Sequence, residues 1–207
     1  MKITLFLCTI FLLGAVGSGA RSQSLSGVRI GEDIGVTSRL GAAPSAQKHI
    51  GPFTLSKWIL EDGNELSITS STASGKIVYI ETDWGGKQIG TASDFSLFYY
   101  GKTTLAEIRS QFGNNGFSFN GGAPQSGPNN SIINMNSYEI ANTDGVIVTF
   151  VTKLDAKDVK ELAKRGPEFS SHLSRLVTII LGDAKYLRTI WGATLVFDPD
   201  YERIVWK

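Results

Sequence analysis

The chain has 207 residues, of which 42% are hydrophobic, and its formal net charge is +1. This length corresponds to one domain or two small ones, and the hydrophobic fraction excludes a wholly disordered chain. The balanced charge argues against a nucleic-acid binder and against a polybasic membrane patch.

The first twenty residues have the pattern of a secretory signal peptide. Lys2 supplies a positive start, and residues 3–16 form an apolar stretch that is too short to span a bilayer, which needs about 20 residues. Ser18 and Ala20 then give the small-x-small pattern of a cleavage site. We therefore expect a mature N-terminus at or near Arg21 and a periplasmic or extracellular product. The alternative is an uncleaved membrane anchor.

Removal of residues 1–20 would leave 19 basic and 19 acidic residues and no cysteine, since Cys8 lies inside the apolar stretch. A secreted chain without disulfides must be held together by its core, and this composition favours a bacterial periplasm or exterior. Residues 21–30 are predicted to form a flexible mature N-terminus.

Two segments of the chain share a pattern, IGVTSRLG at 34–41 and AEIRSQFG at 106–113. The second predicts a short helix, with Thr104 and Glu107 as a capping box and Gly113 as its C-cap. The first copy predicts a weaker helix, because Gly35 and Val36 are poor helix formers.

After each of these segments the sequence predicts a β-hairpin and a closing strand. The turns are Asp62-Gly63 and Asp144-Gly145, each between alternating apolar runs. The closing strands are predicted at 76–79 and 203–206, which would align Tyr79 with Trp206. Two related units therefore follow, at 31–84 and at 95–207.

The second unit carries a predicted helical insertion at about 154–191. A helix is expected over 154–165 behind the N-cap Asp155, and a second from Glu168 through Ile180. The pattern of 185–191 fits either a helix or a strand, and a helix is favoured. A strand is predicted over 193–198. Residues 120–131 are rich in glycine, proline and asparagine and predict a loop.

These elements predict the fold class α+β, with an antiparallel sheet that has helices on one face and is built from two related helix-hairpin-strand units. The alternative is a single α+β domain without a repeat.

A search for catalytic chemistry finds few candidates. The two histidines, His49 and His172, lie far apart in sequence, and no nucleophile elbow, phosphate-binding loop or metal-ligand spacing is present. Glu81 and Asp83 alternate on one strand, where two carboxylates can carry acid–base chemistry but more often form a solvated sheet face. We expect a protein that is not an enzyme and has no cofactor or metal. The alternative is a small secreted hydrolase that uses these carboxylates and a histidine.

The aromatic residues instead suggest a binding face. Tyr79 and Glu81 are expected on the side of the sheet opposite the helices, together with Trp206. Aromatic and charged side chains on an open sheet are typical of protein interfaces. The candidate binding residues are Tyr79, Glu81, Trp206, Trp58 and Tyr138, with Lys57 and Tyr99 in the same pool. The alternative is that these rings belong to the core.

A helix followed by antiparallel strands, repeated in tandem behind a signal sequence, resembles the β-lactamase-inhibitor-protein architecture, which the small SmpA/OmlA-type outer-membrane lipoproteins share. TLAEIRSQFG at 104–113 and the two Asp-Gly hairpins carry the resemblance. This chain differs in having no lipobox, no disulfide cysteines and a helical insertion. The resemblance implies non-catalytic protein binding by an open sheet, as in an inhibitor or envelope accessory protein.

Overall fold

The computed structural model describes residues 23–95, 97–121 and 125–206. The predicted signal peptide, residues 1–20, lies outside the described residues. Among the helices of the described ranges, none is both long enough and apolar enough to cross a membrane.

The architecture is α+β, as predicted, and in the described residues one antiparallel sheet of ten strands dominates it. The spatial order is β1-β2-β3-β4-β9-β8-β7-β5-β10, and β6 pairs with β7. The strands are β1 (Ala46–Ile50), β2 (Phe53–Ile59), β3 (Glu65–Ser71), β4 (Ile77–Asp83), β5 (Phe117–Phe119), β6 (Gln125–Ser126), β7 (Ile132–Glu139), β8 (Val146–Leu154), β9 (Arg175–Asp183) and β10 (Leu195–Phe197). The helices are α1 (Leu105–Phe112), α2 (Ala156–Arg165), α3 (Ser170–Leu173) and α4 (Ala184–Trp191).

The elements with strong local signals form where the sequence predicts them. Both Asp-Gly hairpins are present as β2–β3 and β7–β8. In the capping box of α1, the Glu107 amide donates to Thr104 Oγ1 at 3.2 Å, and the Thr104 amide donates to Glu107 Oε2 at 2.7 Å. The helices predicted over 154–165 and 185–191 correspond to α2 and α4, and the first copy of the repeated pattern forms a 3₁₀ helix, Ile34–Leu40.

The prediction of a second helix in the insertion, from Glu168 through Ile180, is wrong. Helical structure from Pro167 ends at Leu173, and the following residues form β9, which pairs with β4 on one side and β8 on the other. Apart from Thr178, the run from Leu176 to Leu181 is apolar on both faces, because β9 is a central strand. Such a run also matches helical spacing, which accounts for the error.

The prediction of a second closing strand at 203–206 is also wrong. Residues 203–206 do not form a strand, and Ile204 makes only an isolated parallel bridge with Ile140. The strand that joins the second hairpin to the rest of the sheet is β9. The predicted alignment of Tyr79 with Trp206 therefore fails.

One face of the sheet, the core face, carries the main hydrophobic core. Ile68, Ile80, Phe150 and Ile179 project from it, and α1, the segment around Phe95 and the C-terminal residues cover it. The N-terminal segment also covers this face: Leu25 and Val28 are buried, and their backbones exchange two hydrogen bonds. Within residues 23–30, the expectation of a flexible N-terminus is therefore corrected, because two apolar side chains anchor the segment.

The opposite face, the concave face, is covered at one end by α4. Leu187 packs there against Ile147 and Phe117 in a second hydrophobic cluster. Gly182 on β9 makes this approach possible, because a Cβ at that position would lie 2.6 Å from the Leu187 side chain. The helices thus occupy both faces of the sheet, which corrects the prediction that they share one face.

Aromatic contacts show that the sheet curves around α4. A series of four ring contacts, with centroid distances of 4.8 to 6.3 Å, leads from Phe53 on β2 through Tyr186, Tyr79 and Trp191 to Phe119 on β5. Six strand spacings separate β2 from β5, which would be roughly 29 Å in a flat sheet. The four contacts are too short for that distance, so the sheet is bent toward α4.

Candidate functional site

The central strand β4 sends three polar side chains onto the concave face. Tyr79, Glu81 and Asp83 alternate with Ile80, which is fully buried on the core face. A β-bulge interrupts the alternation: Tyr79 pairs with Thr69, whereas Ile77 pairs with the adjacent Ser70. Simple alternation predicts that Ile77 shares a face with Tyr79. Because of the bulge, Ile77 lies in the core instead.

The strand register brings further polar groups beside these three. Ser67 lies opposite Glu81, and it is flanked on the other side by Lys57 of β2. Glu65 and Thr178 lie on either side of Asp83. The concave face therefore carries a polar cluster, consisting of Lys57, Glu65, Ser67, Tyr79, Glu81, Asp83 and Thr178.

Three polar contacts each join two side chains of the polar cluster. The Tyr79 hydroxyl donates to Glu81 Oε2 at 2.8 Å. Lys57 forms an ion pair with Glu65, and the Thr178 hydroxyl donates to Asp83 Oδ1. Each carboxylate of the cluster thus has one direct side-chain donor.

Burial makes Glu81 an unusual carboxyl group. Loss of solvent, with the nearby charge of Asp83 as the second cause, raises the pKa of Glu81 to about 7. Burial also raises the pKa of Asp83, although the hydrogen bond from Thr178 opposes the shift. The cluster can therefore hold a proton near neutral pH, and Glu81 is its principal carrier.

The ion pair of the cluster lies nearer to solvent. The side chains of Lys57 and Glu65 remain 39% and 33% exposed, and the hydrogen bond to Glu65 is the main cause that raises the pKa of Lys57. The polar cluster therefore runs from a buried carboxyl group at β4 to a solvated ion pair at β2 and β3.

An apolar stripe borders the cluster along the free edge of the sheet. It consists of four concave-face residues of β1 and β2: Ile50, Phe53, Leu55 and Ile59. Ile50 is 50% exposed and Ile59 is 61% exposed. We call these four residues the edge stripe.

Three of the predicted binding residues belong to the core. Trp58 is buried and its Nε1 donates to the Ala42 carbonyl at 3.1 Å. Tyr138 is fully buried, with its hydroxyl donating to the Asn114 carbonyl. Trp206 packs on Phe95 at 4.8 Å in the core, on the other side of the sheet from Tyr79.

The physical reason for this correction is the same for all three rings. Each has a large apolar area that the core face can bury, and Trp58 and Tyr138 also find a backbone carbonyl for their polar atom. Of the five predicted binding residues, Tyr79 and Glu81 alone lie on the concave face.

The histidines do not join the carboxylates. His49 Nδ1 lies 2.9 Å from Thr54 Oγ1 on the edge strands, and His172 lies near the Phe169 ring on α3. Neither histidine forms a hydrogen bond or an ion pair with a carboxylate in the described part of the chain. That part also has no group of three or more histidine, cysteine, aspartate or glutamate side chains placed to hold a metal ion.

Glu65, Thr178 and the edge stripe were not among the residues predicted from the sequence. Thr178 is placed beside Asp83 by the pairing of β4 with β9, and the sequence predicted a helix there. Glu65 lies two residues before Ser67 on β3, so strand alternation places both side chains on the same face. Glu65 could therefore have been predicted from the sequence as a charged residue of this face. Lys57 was one of the predicted candidates, but its pairing with Glu65 depends on the register between β2 and β3.

A scan of this chain against protein-family models, and searches of curated proteins and of solved structures, found no match.

Proposed function

We propose that this protein is an exported, non-catalytic binding module that recognises another protein through the edge stripe and the adjoining polar cluster. The observation that carries the proposal is the exposure of Ile50 and Ile59 on the same sheet face as the Lys57–Glu65 ion pair. Large apolar side chains surrounded by charged groups match the apolar centre and polar rim of protein interfaces.

The geometry of the edge stripe suits a protein partner better than a small ligand. The stripe lies along β1 and β2 at one edge of the sheet. Phe53 packs on Tyr186 of α4, whereas Ile50 and Ile59 are exposed and a partner can reach them from the edge. Lys48 projects from the same face and forms no ion pair with a described residue, so it can pair with an acidic group of the partner. The partner would thus be a protein with an apolar patch that acidic residues border.

We also propose that the sheet contains two related units, in keeping with the resemblance to the β-lactamase-inhibitor-protein architecture. The strand order supports this, since β2–β3–β4 and β7–β8–β9 are both three-stranded antiparallel meanders and meet at the β4–β9 pair. In this proposal β9 takes the position of the second closing strand. Export is tested separately, by N-terminal sequencing of secreted material, and retention of residues 1–20 would contradict it.

The binding proposal is tested by capture from the envelope and secreted proteins of the source organism. The mature protein is the bait, and Ile59→Asp is compared with Val205→Asp, which alters a similarly exposed residue (58%) outside the edge stripe. We expect Ile59→Asp to weaken binding of the captured partner by more than about tenfold, since an apolar anchor becomes charged. Equal capture by both variants, or no specific capture by the parent protein, would contradict the proposal.

A second candidate function is acid–base hydrolysis, and the specific observation in its favour is the proton held by Glu81 near neutral pH beside Asp83. A carboxyl group in that state can act as a general acid. Chromogenic glycosides and esters test this function. Turnover by the parent protein that Glu81→Gln abolishes would favour hydrolysis over binding.

A further inference from the structure

A cavity of about 780 Å³ opens at the end of the sheet where β4 and β8 finish and β9 begins. This volume lies in the range of small-molecule sites, roughly 300–1,000 Å³. Asp83 and Thr178 of the polar cluster reach its edge, but the other lining residues belong to neither the polar cluster nor the edge stripe.

Positive charge dominates the wall of this cavity. Four cationic side chains line it, namely Lys102, Lys153, Lys157 and Arg175, against two carboxylates, Asp83 and Asp155. Both carboxylates already have a partner. Asp155 is paired with Lys153 at 2.9 Å, and Asp83 accepts a hydrogen bond from the Thr178 hydroxyl.

Two of the four cations remain available for a ligand. Among the described residues, Lys102 and Lys157 form no ion pair, and both are exposed, with Lys102 Nζ 5.7 Å from the centroid of the Tyr99 ring. Arg175 is instead held at 2.7 Å by Asp158, which fixes its guanidinium group at the cavity wall. The wall therefore combines one fixed cation with two that can move onto a bound anion.

Two large apolar side chains, Trp84 and Ile89, also line the cavity. Trp84 lies against Gly101, where an added Cβ would be 2.5 Å from the indole ring, and its Nε1 donates to the Gln88 carbonyl at 3.1 Å. These contacts fix the ring in one position. Ile89 is 71% exposed.

We propose that this cavity binds a small organic anion. Its phosphate, sulfate or carboxylate group would lie among Lys102, Lys157 and Arg175, and its ring or apolar portion would pack against Trp84 and Ile89. The cavity shares Asp83 and Thr178 with the polar cluster, but none of its lining residues belongs to the edge stripe.

The experiment is a calorimetric titration of the full mature chain with three probes at low ionic strength. Phenyl phosphate supplies both the anion and the ring, inorganic phosphate supplies the anion alone, and benzyl alcohol supplies the ring alone. We expect saturable binding of phenyl phosphate that is at least about fivefold tighter than that of inorganic phosphate, because the ring adds apolar contact area. Benzyl alcohol should not bind measurably.

Variants locate the binding. Lys157→Glu reverses a charge at the cavity, and Lys160→Glu is the matched control, because Lys160 is an exposed lysine of the same helix that does not line the cavity. We expect Lys157→Glu to weaken phenyl phosphate binding by about tenfold or more and Lys160→Glu by less than about twofold. Ile89→Ser should weaken phenyl phosphate binding and leave inorganic phosphate binding unchanged.

Three outcomes would overturn the proposal. They are the absence of saturable phenyl phosphate binding, an equal effect of the two lysine substitutions, and equal affinity for phenyl phosphate and inorganic phosphate. Both lysines are exposed, and thermal unfolding of each variant checks that the fold is retained.

Discussion

Glu81 lies between two unlike neighbours on the same strand: the Tyr79 hydroxyl donates to it, and the charge of Asp83 opposes its ionisation. Burial is the larger effect and raises the pKa of Glu81 to about 7. The hydrogen bond from Tyr79 works in the other direction, because it stabilises the carboxylate. Glu81 therefore changes its protonation state in the folded protein near neutral pH.

This shift has a definite sign for stability. The pKa of Glu81 is about 7 in the folded protein, against an ordinary value of 4.5, so between these values the folded state holds a proton that the unfolded state releases. The contribution of Glu81 to the free energy of unfolding is thus complete below about pH 4.5 and is lost as the pH rises through 7. The loss is at most on the order of 3 kcal/mol.

We predict that Glu81→Gln removes most of this loss. Urea unfolding at pH 5 and pH 8 measures it: the difference between the two free energies of unfolding should be smaller in Glu81→Gln than in the parent protein. Asp83 contributes in the same direction in both proteins, so the comparison isolates Glu81. Glu202→Gln changes an exposed glutamate and is the control. An unchanged pH dependence in Glu81→Gln would contradict the burial argument.

At this scale the sequence predicted part of the site. Alternation along one strand was enough to place Tyr79 and Glu81 on the same face, because the period of a strand is a local property. Alternation could not show that Lys57 pairs with Glu65 or that Thr178 donates to Asp83, since both contacts depend on which strands are neighbours. It also could not separate Trp206 from Tyr79, since aromatic residues serve cores and interfaces equally well.

At the scale of elements, α4 depends on a missing side chain in the strand beneath it. Gly182 lies directly under Leu187, and α4 in turn brings Tyr186 and Trp191 against Tyr79. The orientation of the Tyr79 ring, and with it the hydrogen bond to Glu81, therefore relies on this helix–strand contact.

We predict that Gly182→Ala destabilises the protein by about 1–3 kcal/mol, because its Cβ would overlap the Leu187 side chain. Leu187→Ala alone should cost about 2–5 kcal/mol through the cavity that it leaves. In the double variant the added methyl group enters that cavity. The loss in the free energy of unfolding of the double variant should therefore be smaller than the sum of the losses of the two single variants. Strict additivity in a double-mutant cycle by urea unfolding would show that the two residues do not contact each other.

The elements that the sequence predicted correctly share one property, a local signal. The capping box of α1 and the Asp-Gly hairpins each depend on a few adjacent residues. The sequence failed at β9, where a buried central strand and a buried helix face both appear as a dense apolar run. The β-branched residues Val177, Thr178, Ile179 and Ile180 favoured a strand, and their propensity was the better indicator.

At the scale of the whole molecule, both ends of the described chain close the core face. Leu25 and Val28 cover it from the N-terminal side, and Ile204 and Trp206 cover it from the C-terminal side. The core therefore depends on segments without regular secondary structure. The position of such segments cannot be predicted from the strand and helix patterns of the sequence.

We predict that Trp206→Ala destabilises the protein by about 3–5 kcal/mol, because a large buried ring is removed from its contact with Phe95. The adjacent Val205→Ala is the control and should change the free energy of unfolding by less than about 0.5 kcal/mol, since Val205 is exposed. Chemical denaturation of the two variants measures both values. Similar stability of the two would return Trp206 to the candidates for a binding role.

The pairing of β4 with β9 joins segments that lie far apart in the chain. β4 ends at residue 83 and β9 begins at residue 175. In the unfolded chain Glu81 is hydrated and ionised at neutral pH. Folding buries this carboxyl group and raises its pKa to about 7, so that it takes up a proton from solution. Folding is consequently a proton-consuming process, and it is more favourable for a chain in a mildly acidic compartment than for one in an alkaline compartment.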